Sequence, residues 1–71
     1  MESSQENKLG KRIKTLRMKA GLSQDGLARK ANVAYTTLTK METGVIKNPS
    51  IYAVAKIAKA IGVSLDDLAN F

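Results

Sequence analysis

Four side chains that form hydrogen bonds fall within one short stretch of this 71-residue sequence: Tyr35, Thr36, Thr39 and Lys40. Their spacing places them on one face of a helix, because residues three and four apart are neighbours there. A lysine donates to guanine O6 and N7, and a threonine offers a hydroxyl and a methyl group to thymine. A tyrosine can reach a base or the backbone. The stretch therefore predicts base contacts with duplex DNA, with Lys40 and Thr36 as the best base readers.

The helix that carries these side chains is predicted over residues 34–43. Val33 and Leu38 have the spacing of a hydrophobic staple around Ala34, and Gly44 is a stop signal. Its inner face is expected to be Leu38 and Met41, which leaves the hydrogen-bonding face outward.

A second short helix is predicted just before it. Ser23 is a good N-cap, and Leu22 and Leu27 form a staple around it, so this helix begins at Gln24. Asn32 ends it, because Asn tolerates a left-handed backbone. Two short helices joined by a turn of about three residues form a helix-turn-helix, whose second helix enters the major groove.

Three further helices are predicted, which makes the fold class all-α with five helices. The first begins between residues 3 and 8, where Ser3 and Glu6 have capping-box spacing, and ends at Gly21. The other two follow the caps Ser50 and Ser64. The side chains expected on the buried faces of the first two are Leu9, Ile13, Leu16 and Ala20, then Ile51, Val54, Ile57, Ala58 and Ile61, and in the third Val63 and Leu68 form a staple around Ser64.

Length and composition exclude several classes of protein. The chain is predicted to be one domain over residues 1–71, near the lower limit for a single core, with residues 1–6 disordered. It has no Cys and no His, so disulfides, the usual zinc sites and the common nucleophile and base pairs are absent. We therefore expect no enzyme, no cofactor, no metal and no small-molecule ligand.

The charge of the chain favours a polyanionic partner. Twelve Lys and Arg against six Asp and Glu give a net charge of +6, and ten of the twelve lie at or before Lys47. No apolar run is long enough for a membrane, and the first residues, MESSQENK, lack the apolar core of a signal peptide. A cytoplasmic protein is expected.

The sequence resembles the XRE family of phage repressors and Cro proteins, whose domain is a compact five-helix bundle like that of lambda repressor. The matching segments are GLSQ at 21–24, LA at 27–28, ETG at 42–44, NPS at 48–50 and KIAKAIGVSLDDL at 56–68, together with Leu38 and Met41. Gly26, Asn32 and Ala34 depart from the pattern, since the family usually has an acidic residue, Gly, and Ser or Thr there. The resemblance implies a DNA-binding transcriptional regulator.

The resemblance and the residue types suggest further site residues. In the family, Gln24 contacts a phosphate, as its place at a helix N-terminus also favours, and Arg17 and Glu42 form a structural ion pair. Lys47 and Asn48 are expected to meet phosphates beyond the second helix. Thr43 is a further phosphate candidate, and Thr37 either contacts a phosphate or packs.

One small domain reads few base pairs, so a two-fold homodimer on a palindromic operator is expected, formed chiefly on DNA. The candidate dimer residues are apolar side chains beyond the main core faces: Val45, Ile46, Leu65 and Phe71. Leu65 and Phe71 can instead close the core.

The length leaves no room for a ligand or activation domain, which favours a repressor. The alternative is an antitoxin or anti-repressor module whose main partner is another protein, and a restriction-modification controller is a variant of the first reading.

Overall fold

Five α-helices and no strand lie within residues 8–69, which are the residues that the computed structural model describes. In chain order the helices are α1 (Lys8–Lys19), α2 (Gln24–Ala31), α3 (Tyr35–Thr43), α4 (Ile51–Ile61) and α5 (Leu65–Ala69). The predicted all-α fold class is confirmed. The disorder predicted for residues 1–6, the capping signal of Ser3 and Glu6, and the dimer candidate Phe71 lie outside the described residues.

Three helices begin at the serine caps that the sequence predicts. The hydroxyl oxygens of Ser23, Ser50 and Ser64 each accept a hydrogen bond from the backbone N–H three residues later, at 2.9, 3.1 and 2.9 Å. Each bond satisfies one of the backbone donors that a helix N-terminus leaves unpaired. Ala34 occupies the same position before α3 and makes no side-chain cap bond. Helix α3 is therefore the one of these four helices that lacks a side-chain cap.

The turn between α2 and α3 has the three residues that were predicted. Asn32 ends α2 in the left-handed conformation, with φ 58° and ψ 46°. The N–H of Val33 then donates to the carbonyl of Ala28 at 3.0 Å, which closes the C-terminus of α2. The ammonium of Lys56 on α4 donates to the carbonyl of Asn32 at 3.2 Å. The turn is thus fixed both by its own backbone and by a contact from α4.

Each of the five helices places one fully buried side chain in a common core. These side chains are Ile13, Leu27, Leu38, Ile57 and Leu68. Helix α1 packs against α3, α4 and α5, while α2 packs against α3 and α4 and α4 packs against α5. Helix α3 is therefore held by contacts with both α1 and α2.

Two residues assigned to buried faces by their periodicity lie outside the core. Ile51 is 68% exposed at the first residue of α4, where it lies at the edge of the helix packing. Ala20 is exposed, since α1 ends at Lys19 and Ala20 belongs to the following turn. In α1 the predicted Ile13 is buried, Leu9 and Leu16 pack partly buried against the core, and Gly10 and Arg17 are buried as well. The burial of Arg17 brings a charged group to the edge of the core.

Candidate nucleic-acid interface

Helix α3 presents an open polar face on the side away from the core. Tyr35, Thr36 and Lys40 are exposed, whereas Leu38 and Met41 are 0% and 2% exposed on the opposite side. Tyr35 and Thr36 follow directly after the three-residue turn, at the N-terminal part of the helix that meets base edges in helix-turn-helix complexes, and Lys40 lies in the last turn of the helix. This face carries both a cation and hydroxyl groups that can contact base edges.

Thr39 differs from the outward position expected from the helical spacing, because it is half-buried. Its hydroxyl donates to the carbonyl of Thr36 at 2.9 Å, and the hydroxyl of Thr43 donates to the carbonyl of Thr39 at 2.9 Å. Such bonds to the preceding turn are a usual state of threonine within a helix. With their protons engaged, both hydroxyls offer an incoming ligand their oxygen lone pairs, and Thr39 also a methyl group.

Three of the predicted phosphate contacts lie at the C-terminal end of α3. Lys47 and Asn48 are exposed in the segment after α3, and Thr43 is exposed in its last turn. Thr37 is half-buried. This favours the packing role that the sequence left open for it.

Arg17 on α1 and Glu42 on α3 form a buried ion pair. Arg17 Nε lies 2.7 Å from Glu42 Oε2, and Arg17 Nη2 lies 3.2 Å from Oε1. Only 10% of the Arg17 side chain and 2% of the Glu42 side chain are exposed. The remaining guanidinium nitrogen, Nη1, donates to the carbonyl of Leu22 at 2.8 Å. The pair therefore joins α1, α3 and the linker before α2 with a bidentate bond.

Gln24 is also engaged by this pair, rather than pointing its amide only at solvent. Its Nε2 donates to Glu42 Oε1 at 3.0 Å, and the hydroxyl of Tyr35 lies 3.5 Å from its Oε1. A phosphate contact was predicted for Gln24 from the sequence. Its contact with Glu42 was not predicted, since the two residues lie far apart in the chain. The backbone N–H groups at the start of α2 still form a helix N-terminus, and helix N-termini attract anions.

The dimer candidates are divided between the surface and the core. Val45 is 68% exposed, but Ile46 and Leu65 are half-buried and pack against the core. Ile51 was not among the dimer residues predicted from the sequence, but it is exposed and lines a groove together with Leu9, Pro49 and Leu65. It also gave no role to Tyr52, which is 73% exposed and stacks under the ammonium of Lys56, 4.8 Å from the ring centre.

Two other kinds of site were sought in the described part of the chain. Within residues 8–69 no group of three or more acidic residues is placed to hold a metal ion. No helix of that part is long and apolar enough to cross a membrane.

Comparison with known protein families identifies the family to which this helical domain belongs. A family model for helix-turn-helix domains of the Cro and phage-repressor type matches residues 13–68, which include the ion pair and both helices of the motif. The chain belongs to this helix-turn-helix family. The resemblance given by its sequence motifs is thereby confirmed.

Curated relatives of this helix-turn-helix chain are transcriptional regulators by name. It is 39% identical over 62 residues to the HTH-type transcriptional regulator SinR of Bacillus licheniformis, which covers 87% of this chain and 56% of SinR. The SinR of Bacillus subtilis is 38% identical over 60 residues, covering 84% and 54%. An uncharacterized HTH-type transcriptional regulator of Archaeoglobus fulgidus is 37% identical over 60 residues, covering 84% of each chain. The chain thus spans about half the length of the two SinR proteins. No solved structure matches it significantly.

Proposed function

We propose that this chain binds duplex DNA sequence-specifically, with α3 in the major groove, and that it regulates transcription as a repressor. The observation that carries the proposal is the open face of α3, where Tyr35, Thr36 and Lys40 are exposed. Membership of the helix-turn-helix family and relatives named as transcriptional regulators support it.

In this proposal base reading and backbone binding belong to different side chains. Lys40 and Thr36 contact base edges, whereas Lys47 and Asn48 lie toward the phosphates at the C-terminal end of α3. The backbone N–H groups at the start of α2 bind a phosphate on the other side. A net charge of +6 supplies the sequence-independent attraction that precedes specific binding.

We further propose that two copies bind one palindromic operator, with their recognition helices about 34 Å apart, or one turn of DNA. The surface offered for this contact comprises Val45 and Ile51, both 68% exposed, with Leu65 beside the groove that Ile51 lines. So few exposed apolar side chains fall short of an interface of standard size. The dimer is accordingly expected to form mainly on DNA, where the operator holds both copies.

In-vitro selection of bound duplexes tests the DNA-binding proposal. The selected sequences should share a palindrome with half-sites one helical turn apart, and placing this sequence over a promoter should lower transcription in a purified system when the protein is added. Failure to enrich any sequence above the starting library would overturn sequence-specific binding.

Sedimentation with the selected operator tests the dimer. Two proteins per duplex are expected for the wild type, and Ile51→Ser should weaken binding of the second copy. Met18→Ser is the matched control, because Met18 is 61% exposed on α1 and lies outside the proposed contact. One protein per duplex at saturation, or equal effects of both substitutions, contradicts the dimer surface.

A further inference from the structure

Three lysines line one open hollow between α2 and α4. The hollow has a volume of about 340 Å³, and the residues around it are Lys30, Ala31, Lys56, Lys59 and Ala60. The two alanines are only 5% and 7% exposed, and they give the hollow an apolar floor. The three lysines supply its polar wall. The site therefore combines an apolar surface with three cations.

No carboxylate of the described chain balances these charges. Within residues 8–69 none of the three lysines forms an ion pair, whereas Arg29, next to Lys30 on α2, is paired with Asp25 at 3.0 Å. Like charges around one space repel each other, and an anion that enters the space relieves this repulsion. The hollow is therefore complementary to a negatively charged group from another molecule.

Lys56 is already held in position at this hollow. Its ammonium donates to the carbonyl of Asn32 at 3.2 Å and lies 4.8 Å from the centre of the Tyr52 ring. An ammonium group has three donors, so the bond to Asn32 leaves others for an incoming anion. A side chain that is held before binding loses less conformational freedom when a ligand arrives. Lys56 thus lowers the entropic cost of docking.

The hollow lies apart from the face proposed to bind DNA. It is formed by the C-terminal part of α2 and by α4, and no residue of α3 lines it. On α2, the proposed phosphate contact Gln24 is at the other end of the helix, and the rise from Gln24 to Lys30 is about 9 Å. A partner in the hollow can therefore bind while the outer face of α3 stays open.

We propose that this hollow docks an acidic segment of another protein, in which an apolar side chain is flanked by carboxylates. The apolar side chain rests on Ala31 and Ala60, and the carboxylates pair with Lys30, Lys56 and Lys59. Nucleic-acid phosphates would match the charge as well, but a phosphate backbone brings no apolar group to cover the alanines. The apolar floor is the feature that favours a protein segment.

The first test uses a synthetic helical peptide with a stripe of leucines flanked by glutamates, and its affinity is measured by fluorescence anisotropy at low salt. The double variant Lys30→Gln with Lys59→Gln should bind the peptide about 2- to 30-fold more weakly, the range for two exposed ion pairs. The matched control is Lys14→Gln with Lys19→Gln, which removes the same charge from exposed residues of α1 and should keep nearly the wild-type affinity. Equal losses in the two double variants would overturn the proposal, because net charge alone would then attract the peptide.

The second test changes the peptide instead of the protein. Glutamines in place of the glutamates should abolish binding, and alanines in place of the leucines should weaken it while the peptide stays helical. If the alanine peptide binds as tightly as the original, the apolar floor receives nothing and the proposal is wrong. Amide NMR shifts caused by the original peptide should centre on the end of α2 and on α4, and shifts centred on α3 would contradict this site.

The third test uses a short DNA duplex, because phosphates are the other source of negative charge. Both double variants should bind the duplex equally, and thermal unfolding checks that both are folded. A larger loss of duplex affinity in Lys30→Gln with Lys59→Gln would make the hollow a phosphate site and refute the protein partner. Since docking of the peptide does not require DNA, a protein that failed to bind any duplex would refute the proposed function and leave the peptide tests decisive.

Discussion

Replacing Glu42 by alanine should destabilise the domain far more than the loss of a surface charge. The carboxylate accepts from Arg17 Nε at 2.7 Å, from Arg17 Nη2 at 3.2 Å and from Gln24 Nε2 at 3.0 Å. Its removal leaves a guanidinium whose side chain is 10% exposed without its counter-ion. Breaking a buried pair in this way costs about 3–5 kcal/mol.

The lower end of that range applies here, because Arg17 keeps its bond to the Leu22 carbonyl at 2.8 Å and retains some access to water. A loss of about 3 kcal/mol corresponds to a fall in Tm of about 12–24 °C for a domain of this size. Since a core this small supplies only about 3–5 kcal/mol in total, the variant should be largely unfolded at 37 °C.

Thermal and urea unfolding followed by circular dichroism measure the effect. The control is Asp25→Ala, which breaks the exposed pair between Asp25 and Arg29, 3.0 Å apart with side chains 59% and 81% exposed. An exposed helical pair of this kind contributes about 0.3–0.5 kcal/mol. Equal stability losses in Glu42→Ala and Asp25→Ala would refute the reasoning.

The double variant Arg17→Met with Glu42→Leu separates an unpaired charge from lost packing. It removes both charges and fills the site with apolar groups of similar size, which is often neutral for a buried pair. It should therefore be more stable than Glu42→Ala. If it is as unstable as the single variant, the cost does not come from the unpaired guanidinium.

The remaining predictions concern DNA binding and the start of α3. Lys40→Ala should relax base preference at one or two positions of each half-site and cost about 1–3 kcal/mol on the selected operator, and a neutral result at every position would remove Lys40 from the base readers. Lys47→Ala should weaken all duplexes alike and lower the slope of log affinity against log salt by about one, as measured by titration at several salt concentrations. Ala34→Ser should raise stability by about 1 kcal/mol in urea unfolding, because Ala34 has an extended N-cap conformation and makes no side-chain cap bond.

The helix-turn-helix could be predicted from the sequence because the signals that define it are local. A cap such as Ser23 acts on a backbone N–H three residues later, and Asn32 and Gly44 end their helices through their own backbone conformation. None of these signals depends on where the other helices pack. The same locality explains why the exposed positions of Tyr35, Thr36 and Lys40 agree with the helical spacing.

Features set by packing between distant segments could not be predicted in the same way. Periodicity placed Ile51 on a buried face, but how far that face is covered at its first residue depends on the packing of distant segments, which leaves Ile51 68% exposed. The bond between Gln24 and Glu42 joins residues 18 positions apart, and no local pattern signals it. The Arg17 and Glu42 partnership came from family resemblance, since two charges far apart in the chain show no spacing of their own.

Helix α3, the proposed recognition helix, has a sequence that is poor at forming a helix. It spans nine residues, begins without a side-chain cap and contains four threonines, which have low helix propensity. A helix of this length is not stable alone in water, so its packing must hold it. Leu38, Met41 and Glu42 provide that packing on the inner side. Because the inner face stabilises the helix, the domain can fold with different outward residues at positions such as Lys40. Substitutions on the inner face should therefore reduce stability, whereas substitutions on the outer face should reduce DNA recognition.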